Sequence, residues 1–413
     1  MPRVVPRRPP TFTGHIGLVL AGGAARGAYE VGVVEHIAEQ VAADLGYDPP
    51  LDILCGTSVG AVNVGALAAY ADEPRGRVAR LCSAWRQLRV AEVVRPRARG
   101  LYGLLRAVFG NAHQPSHPVS LFDLSPLEQI IRTSIPFDRI ETHLRAGRIQ
   151  AVTATATQIA SGRTVVFVQR RRARTPLWDS AANVVPRAVR LRPEHALASA
   201  ALPILFPPVK IDGRYYCDGG LRQNVPLSPA RRLGAQGLVV VNPRQRKHRR
   251  GDPMSRRKRA DARPSTLFLL GKTLNALMLD RIDHDIDRLD KINDILDAGE
   301  ARYGEGFAAE LSRAMGYEEG KGLRRLSTVH IRSSADIGSL SAAYVRSRRF
   351  RVGGVLGKLM RQVAEAEATR EADLLSYVLF DGPFTSELIE RGRQDARDHH
   401  DELCQLFESF RAK

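Results

Sequence analysis

Cysteine is scarce: Cys55, Cys82, Cys217 and Cys404 are the only four in 413 residues. They show neither metal-ligand spacing nor the dense pairing of a disulfide framework, so a zinc module and a disulfide-stapled scaffold are excluded and a reducing compartment, the cytoplasm, is expected. Long apolar runs are missing too. No stretch approaches the about twenty residues a spanning helix needs, and the basic, proline-rich residues 1–10 lack an apolar segment of signal-peptide length. Membrane contact is therefore expected to be peripheral, on the inner face. No acidic loop has calcium-ligand spacing and no Gly-Lys-Ser/Thr phosphate loop occurs, so no metal and no cofactor are expected. Acidic residues are the minority, 44 against 62 Lys and Arg, for a formal charge of +18. That excess favours anionic partners, a lipid surface first among them, although arginine on solvated faces accounts for part of it. Nucleic acid is not expected.

What the chain does carry is a sharp local pattern. Gly56-Thr57-Ser58-Val59-Gly60 follows the apolar run 51–55 and precedes the small-residue stretch 61–71, which reads as strand, tight turn and helix with Ser58 at the apex. The flanking Gly56 and Gly60 let the backbone turn without Cβ clashes, and the following helix aims free amides at the serine. A second glycine loop, Gly22-Gly23-Ala24-Ala25-Arg26-Gly27, also lies between a strand-like run (15–20) and a helix-like one. Two such loops point to a reaction centre.

A serine hydroxyl needs a base within reach. The best candidate is Asp218, where the short strand Tyr215-Tyr216-Cys217 ends in a carboxylate followed by Gly219 and Gly220. No histidine adjoins either motif: His195 falls in a helical stretch and His248 in a charged loop. A Ser-Asp dyad is the economical reading, and it requires desolvation to raise the basicity of the carboxylate. Cys55 and Cys217 adjoin these segments, which raises a redox switch beside the plainer reading of buried apolar thiols.

On these motifs, in this order, the chain resembles the patatin-like phospholipases, and the resemblance continues through residues 198–203 and Asn224-Val225-Pro226, covering roughly 14–242. It implies Ser58 as nucleophile, Asp218 as its base, an oxyanion hole at Gly22, Gly23 and Ala24, and Arg26 with Gly27 as support for that loop or a phosphate contact. Ala24 departs from the third glycine of the usual loop. If its amide must point inward at positive φ, the alanine bears a cost. The implied activity is hydrolysis of lipid acyl esters, of phospholipase A or lysophospholipase type, with a lipid substrate and an anionic membrane surface as partners.

Strand and helix patterns alternate: strands at 15–20, 51–55, 149–155 and 238–242, helices at 28–44 and 59–71. This predicts an α/β protein, a three-layer fold with a mostly parallel central sheet flanked by helices. The expected organisation is a basic tail (1–13), a catalytic domain (14–243) with a lid-like insertion at about 90–127, a basic linker (244–264) with ten Lys or Arg in twenty-one residues, and a mainly helical C-terminal extension (265–413) packed on the core. Within the extension an amphipathic helix is predicted at 267–295, a strand at 328–332, and helices at 355–366, 371–379 and 387–407. Residues 373–377 resemble the extension of some bacterial patatin-like proteins.

Three other readings compete. A Ser-Asp-His hydrolase would recruit His330, downstream of Asp218. A nucleotide-binding module would use residues 22–27, but it leaves Gly56–Gly60 and Asp218 unexplained. A catalytically silent or autoinhibited membrane-binding protein would follow if Ala24 misshapes the oxyanion loop.

Overall fold

The computed structural model describes residues 10–96, 120–171, 184–222, 226–245, 282–317, 322–366 and 373–412. At its centre is a nine-stranded sheet: β1 His15–Leu20, β2 Ile53–Thr57, β3 Ala151–Gln158, β4 Thr164–Arg170, β5 Val184–Ala188, β6 Val209–Ile211, β7 Arg214–Asp218, β8 Ala235–Gln245 and β9 Ser327–Ser333. The main path runs β9-β8-β1-β2-β3-β4-β5. Its first five strands are parallel, and β4 turns antiparallel on β3. The central strands β1, β2 and β8 are buried over most of their length and carry apolar runs at 16–20, 53–55 and 238–241, as parallel strands covered by helices must.

Register explains where the functional residues meet. Along β3, one edge is occupied by β4 from Ala151 to Thr157, so β2 and β7 share the other edge. There β2 ends with Thr57 opposite Thr155, and β7 arrives antiparallel with Asp218 opposite Ala156. The two strands abut end to end. The residue that follows Thr57 therefore faces the carboxylate that ends β7.

Helices α1 Gly27–His36, α2 Val59–Ala69, α3 Pro74–Gln87, α4 Ser125–Ser134 and α5 Pro193–Ala200 pack about the sheet, as do α6 Asp373–Val378 and α7 Gly382–Asp398. The last two bind the C-terminal part to the front half of the chain. Tyr29 of α1 donates to Asp395 Oδ2 of α7 at 2.9 Å, Thr385 donates to the Trp85 carbonyl at 2.7 Å, and Arg393 pairs with the buried Glu35 of α1.

The expected α/β architecture is present, with several changes of extent. Strand β2 begins at Ile53 and continues through Gly56 and Thr57, because β1 and β3 still offer ladder partners there. The helix expected at 28–44 is interrupted by a π-helical turn, Ile37–Val41. The helix expected at 387–407 is two, α7 and His400–Ser409, separated at His399, which leaves helical geometry with φ −109 and ψ 18. Strand β9 realises the strand expected at 328–332 and makes the C-terminal part contribute to the sheet itself. The amphipathic helix is described from Ile282 to Tyr303. Its predicted first half, the core of the lid-like insertion (97–119), most of the basic linker, His248, residues 1–9 of the basic tail and Asn224 and Val225 lie outside the described residues. Among the described residues no helix is long and apolar enough to cross a membrane.

Candidate active site

Ser58 stands between β2 and α2 with φ 57 and ψ −128, a conformation costly for a residue with a Cβ. The turn around it has room only for glycine. A Cβ on Gly56 would lie 2.3 Å from the Gly60 carbonyl carbon, and one on Gly60 would lie 2.4 Å from the Leu20 carbonyl oxygen. The second contact also shows that the elbow rests directly against the loop that follows β1. On the other side, a Cβ on Gly219 would meet the Thr155 carbonyl oxygen at 2.2 Å. Both close approaches bring backbone to backbone around the serine.

Asp218 is fully buried. Its Oδ1 accepts the Gly220 amide at 2.7 Å, its own amide donates to the Ala201 carbonyl at 2.9 Å, and Thr157 donates to its carbonyl at 3.0 Å. Burial pushes the carboxyl up to about 7, against the opposing stabilisation of the anion by the Ser58 hydroxyl and the Gly220 amide. The hydroxyl acts on the carboxylate without closing a full hydrogen bond: Ser58 Oγ and Asp218 Oδ2 are both buried and, among the described residues, have no partner of hydrogen-bond geometry. An acid and a hydroxyl so placed can exchange a proton once the geometry tightens around a substrate.

Gly22, Gly23 and Ala24 follow β1, whose Leu20 pairs with Gly56 of β2, so the loop and the elbow are neighbours by register. Ala24 does adopt positive φ, 49°, and lines the same cleft as Ser58. The left-handed conformation costs an alanine about 1 kcal/mol. Ala24→Gly is expected to raise unfolding stability by about that amount, measured by chemical denaturation, and to leave ester hydrolysis equal or faster.

Arg26 is 4% exposed. Its Nε donates to Ser376 Oγ at 2.8 Å, and its guanidinium lies over the Tyr377 ring at 4.4 Å from the centroid. These contacts join the loop that follows β1 to the C-terminal residues 376–377. Behind the loop a buried network ties α1 to α2 and α3: Asn63 donates to Glu30 Oε2 at 2.9 Å and to the Gly27 carbonyl at 3.1 Å, and accepts from Trp85 at 3.1 Å. Burial raises the Glu30 carboxyl well above the usual range, against hydrogen bonds from Asn63 and the Ala21 backbone.

Ser199 is the site residue that no motif reading assigned a role. Its hydroxyl accepts the Ser58 amide at 2.8 Å and donates to the Thr155 carbonyl at 2.5 Å, a two-way strut under the elbow. Ser199→Ala leaves the buried Ser58 amide without an acceptor. We expect a loss of about 1–3 kcal/mol in unfolding free energy, read by denaturant titration, with a smaller fall in turnover.

Of the histidines weighed as partners, His195 and His330 fall within the described residues, and both lie elsewhere. His195 accepts the Arg192 amide at 3.0 Å, packs edge-on against Phe167, and is pushed down to about 4 by burial, the profile of a structural neutral imidazole. His330 sits on edge strand β9, three strands from β2 and so about 14 Å away. It does not join Ser58 and Asp218. Cys55 and Cys217 are buried and pushed up to about 12, which keeps both as unreactive thiols and favours the apolar reading over a redox switch. Among the described residues no group of three or more His, Cys, Asp or Glu could hold a metal ion.

Ser58 opens onto a cleft of about 950 Å³, open mouth included, walled chiefly by apolar side chains of α2, α3 and α4. Residues 18–231, more than half of the chain, match the family model for patatin-like phospholipase. The chain belongs to the patatin-like phospholipase family. Among curated relatives, lysophospholipase NTE1 of Cryptococcus neoformans is 27% identical over 263 residues, 57% of this chain and 12% of that protein. Patatin-like phospholipase domain-containing protein 7 of Rattus norvegicus is 27% identical over 234 residues, 56% of this chain and 14% of that protein. The alignments thus span about an eighth of these relatives' length. Among solved structures, VipD from Legionella pneumophila aligns over 91% of this chain and 67% of its own, with 14% identity and a TM-score of 0.31. The patatin-like match ends at residue 231, yet the Arg26 partners Ser376 and Tyr377 lie well beyond it.

Proposed function

We propose that this protein is a serine acyl-ester hydrolase of lipids working through a Ser58-Asp218 dyad. The observation that carries the reading is a strained, buried serine beside a buried carboxylate of raised pKa, at the head of an apolar cleft. Membership of a phospholipase family and relatives named as lysophospholipases support lipid esters as the substrate class. Ser58 Oγ attacks the ester carbonyl while its proton passes to Asp218. Charge that develops on the carbonyl oxygen is met by amides of Gly22, Gly23 and Ala24. The alcohol leaves with the proton from Asp218; a water then gives a proton to Asp218 as it attacks the Ser58 ester, and Asp218 returns that proton to Ser58 Oγ as the fatty acid is released.

The basic surface implied by a charge of +18 supports docking on anionic membranes. The silent alternative drew on the difficulty of an alanine in the oxyanion loop, and Ala24 at φ 49 weakens that motive. The test is fatty-acid release from anionic phospholipid and lysophospholipid vesicles by the protein and by Ser58→Ala. We expect release to fall at least about a thousandfold in the variant while vesicle binding persists. Hydrolysis retained by Ser58→Ala would overturn the assignment.

A further inference from the structure

The cleft follows one face of α2. Ser58, Val59, Val62, Ala66 and Tyr70 line it at helical spacing, so it runs from the serine along the helix toward its C-terminal end. At that far end stands a cation. Arg77 of α3 lines the cleft, is 8% exposed, and donates from Nη1 to the Leu67 carbonyl at 3.3 Å. Among the described residues its buried Nε has no hydrogen-bond partner. Burial pushes this guanidinium down, to about 10, so it is still charged at neutral pH. The Asp48 carboxylate acts on it favourably from a distance, but among the described residues no ion pair joins them. Arg80 also lines the cleft and is already paired with Glu73 at 3.1 Å.

A helix-capping role, donation to one of the last carbonyls of α2, accounts for Nη1. It leaves the Nε donor and the charge unanswered, and a buried cation without an anion is expensive. We propose that the cleft takes an acyl chain with a terminal carboxylate, its ester at Ser58 and its far carboxylate on Arg77. The proposal rests on the ester chemistry assigned to Ser58 and names the substrate class that site prefers.

Geometry sets the length. Arg77 meets the carbonyl of Leu67, nine residues beyond Ser58, which at about 1.5 Å rise per residue is roughly 13 Å along the helix. A charge-assisted hydrogen bond occupies about 3 Å of that. The remaining ~10 Å corresponds to an extended chain of roughly eight to ten carbons, each advancing ~1.25 Å for C–C bonds of about 1.5 Å. A medium-length dicarboxylic acyl group fits; a long unsubstituted chain would have to pass the guanidinium.

The test compares two esters of equal length: p-nitrophenyl nonanoate and the mono-p-nitrophenyl ester of nonanedioic acid. The whole 413-residue chain is expected to prefer the dicarboxylic ester by roughly tenfold or more in kcat/KM. In Arg77→Met the ratio should fall to one or below. A wild-type ratio at or below one, with both esters turned over, overturns the proposal while the hydrolase reading stands. Turnover of neither ester overturns both. The wild-type ratio decides the matter even if Arg77→Met fails to fold.

Discussion

Asp218→Asn is expected to lower ester hydrolysis about a thousandfold or more and, at pH 8, to leave the protein as stable as the wild type or more so. The first effect follows from loss of the base, for which positioned proton transfer contributes about 10²–10⁴. The second separates a functional carboxylate from a structural one. Burial raises Asp218 from 3.8 to about 7 in the folded protein, so the ionised form costs folding on the order of 4 kcal/mol. The folded state holds a proton that the unfolded chain has released once pH exceeds about 4. Stability from this group is therefore complete below that value, falls as pH rises through about 7, and is flat above. An asparagine removes the slope. Activity should move oppositely: log kcat/KM of the wild type should rise by about one per pH unit below 7 and level above it, because only the ionised form accepts the serine proton. Unfolding titrations and a pH-rate profile read the two trends. A wild-type rate that is level from pH 5 to 8 would remove Asp218 as the base.

The glycine signatures made much of this site legible. Gly56, Gly60 and Gly219 sit where a Cβ would strike backbone within 2.4 Å, so such positions admit little else and leave a mark in the sequence. The central strands were legible for a related reason. Buried on both faces, residues 16–20, 53–55 and 238–241 form short apolar runs. What could not be read were contacts decided by register and docking. Ser199 reaches the elbow across 141 residues, and Ser376 reaches Arg26 across 350. A serine carries no local signal of such a partner. The division of the last helical stretch at His399 was equally hidden, since the apolar spacing of α7 and of His400–Ser409 runs on in phase. Ala24 is intermediate: its cost was visible as the wrong residue for a positive φ, but only the loop itself shows that the cost is met.

The second large effect concerns Arg26. Its guanidinium joins the loop beside the elbow to the C-terminal α6, with Ser376 on Nε and Tyr377 under its face. A planar fork both donates and stacks, which an ammonium cannot reproduce. Removing it frees the segment 22–24 from its brace, and donors misplaced by even a fraction of an ångström lose their hold on a developing oxyanion; one such donor is worth about 10²–10³ in kcat. We therefore expect Arg26→Met to lower kcat by roughly a hundredfold or more while KM for a soluble ester changes little. Arg26→Lys should recover only a minor part. Ser376→Ala, which keeps the charge and the stacking, should cost about tenfold or less. A merely structural arginine would give a different pattern, with lower yield or unfolding temperature but unchanged kcat per folded molecule. Steady-state kinetics normalised to folded protein distinguish the two. If they uphold the first, the C-terminal part is a working component of the active site, and residues 18–231 alone should be far less active than the whole chain.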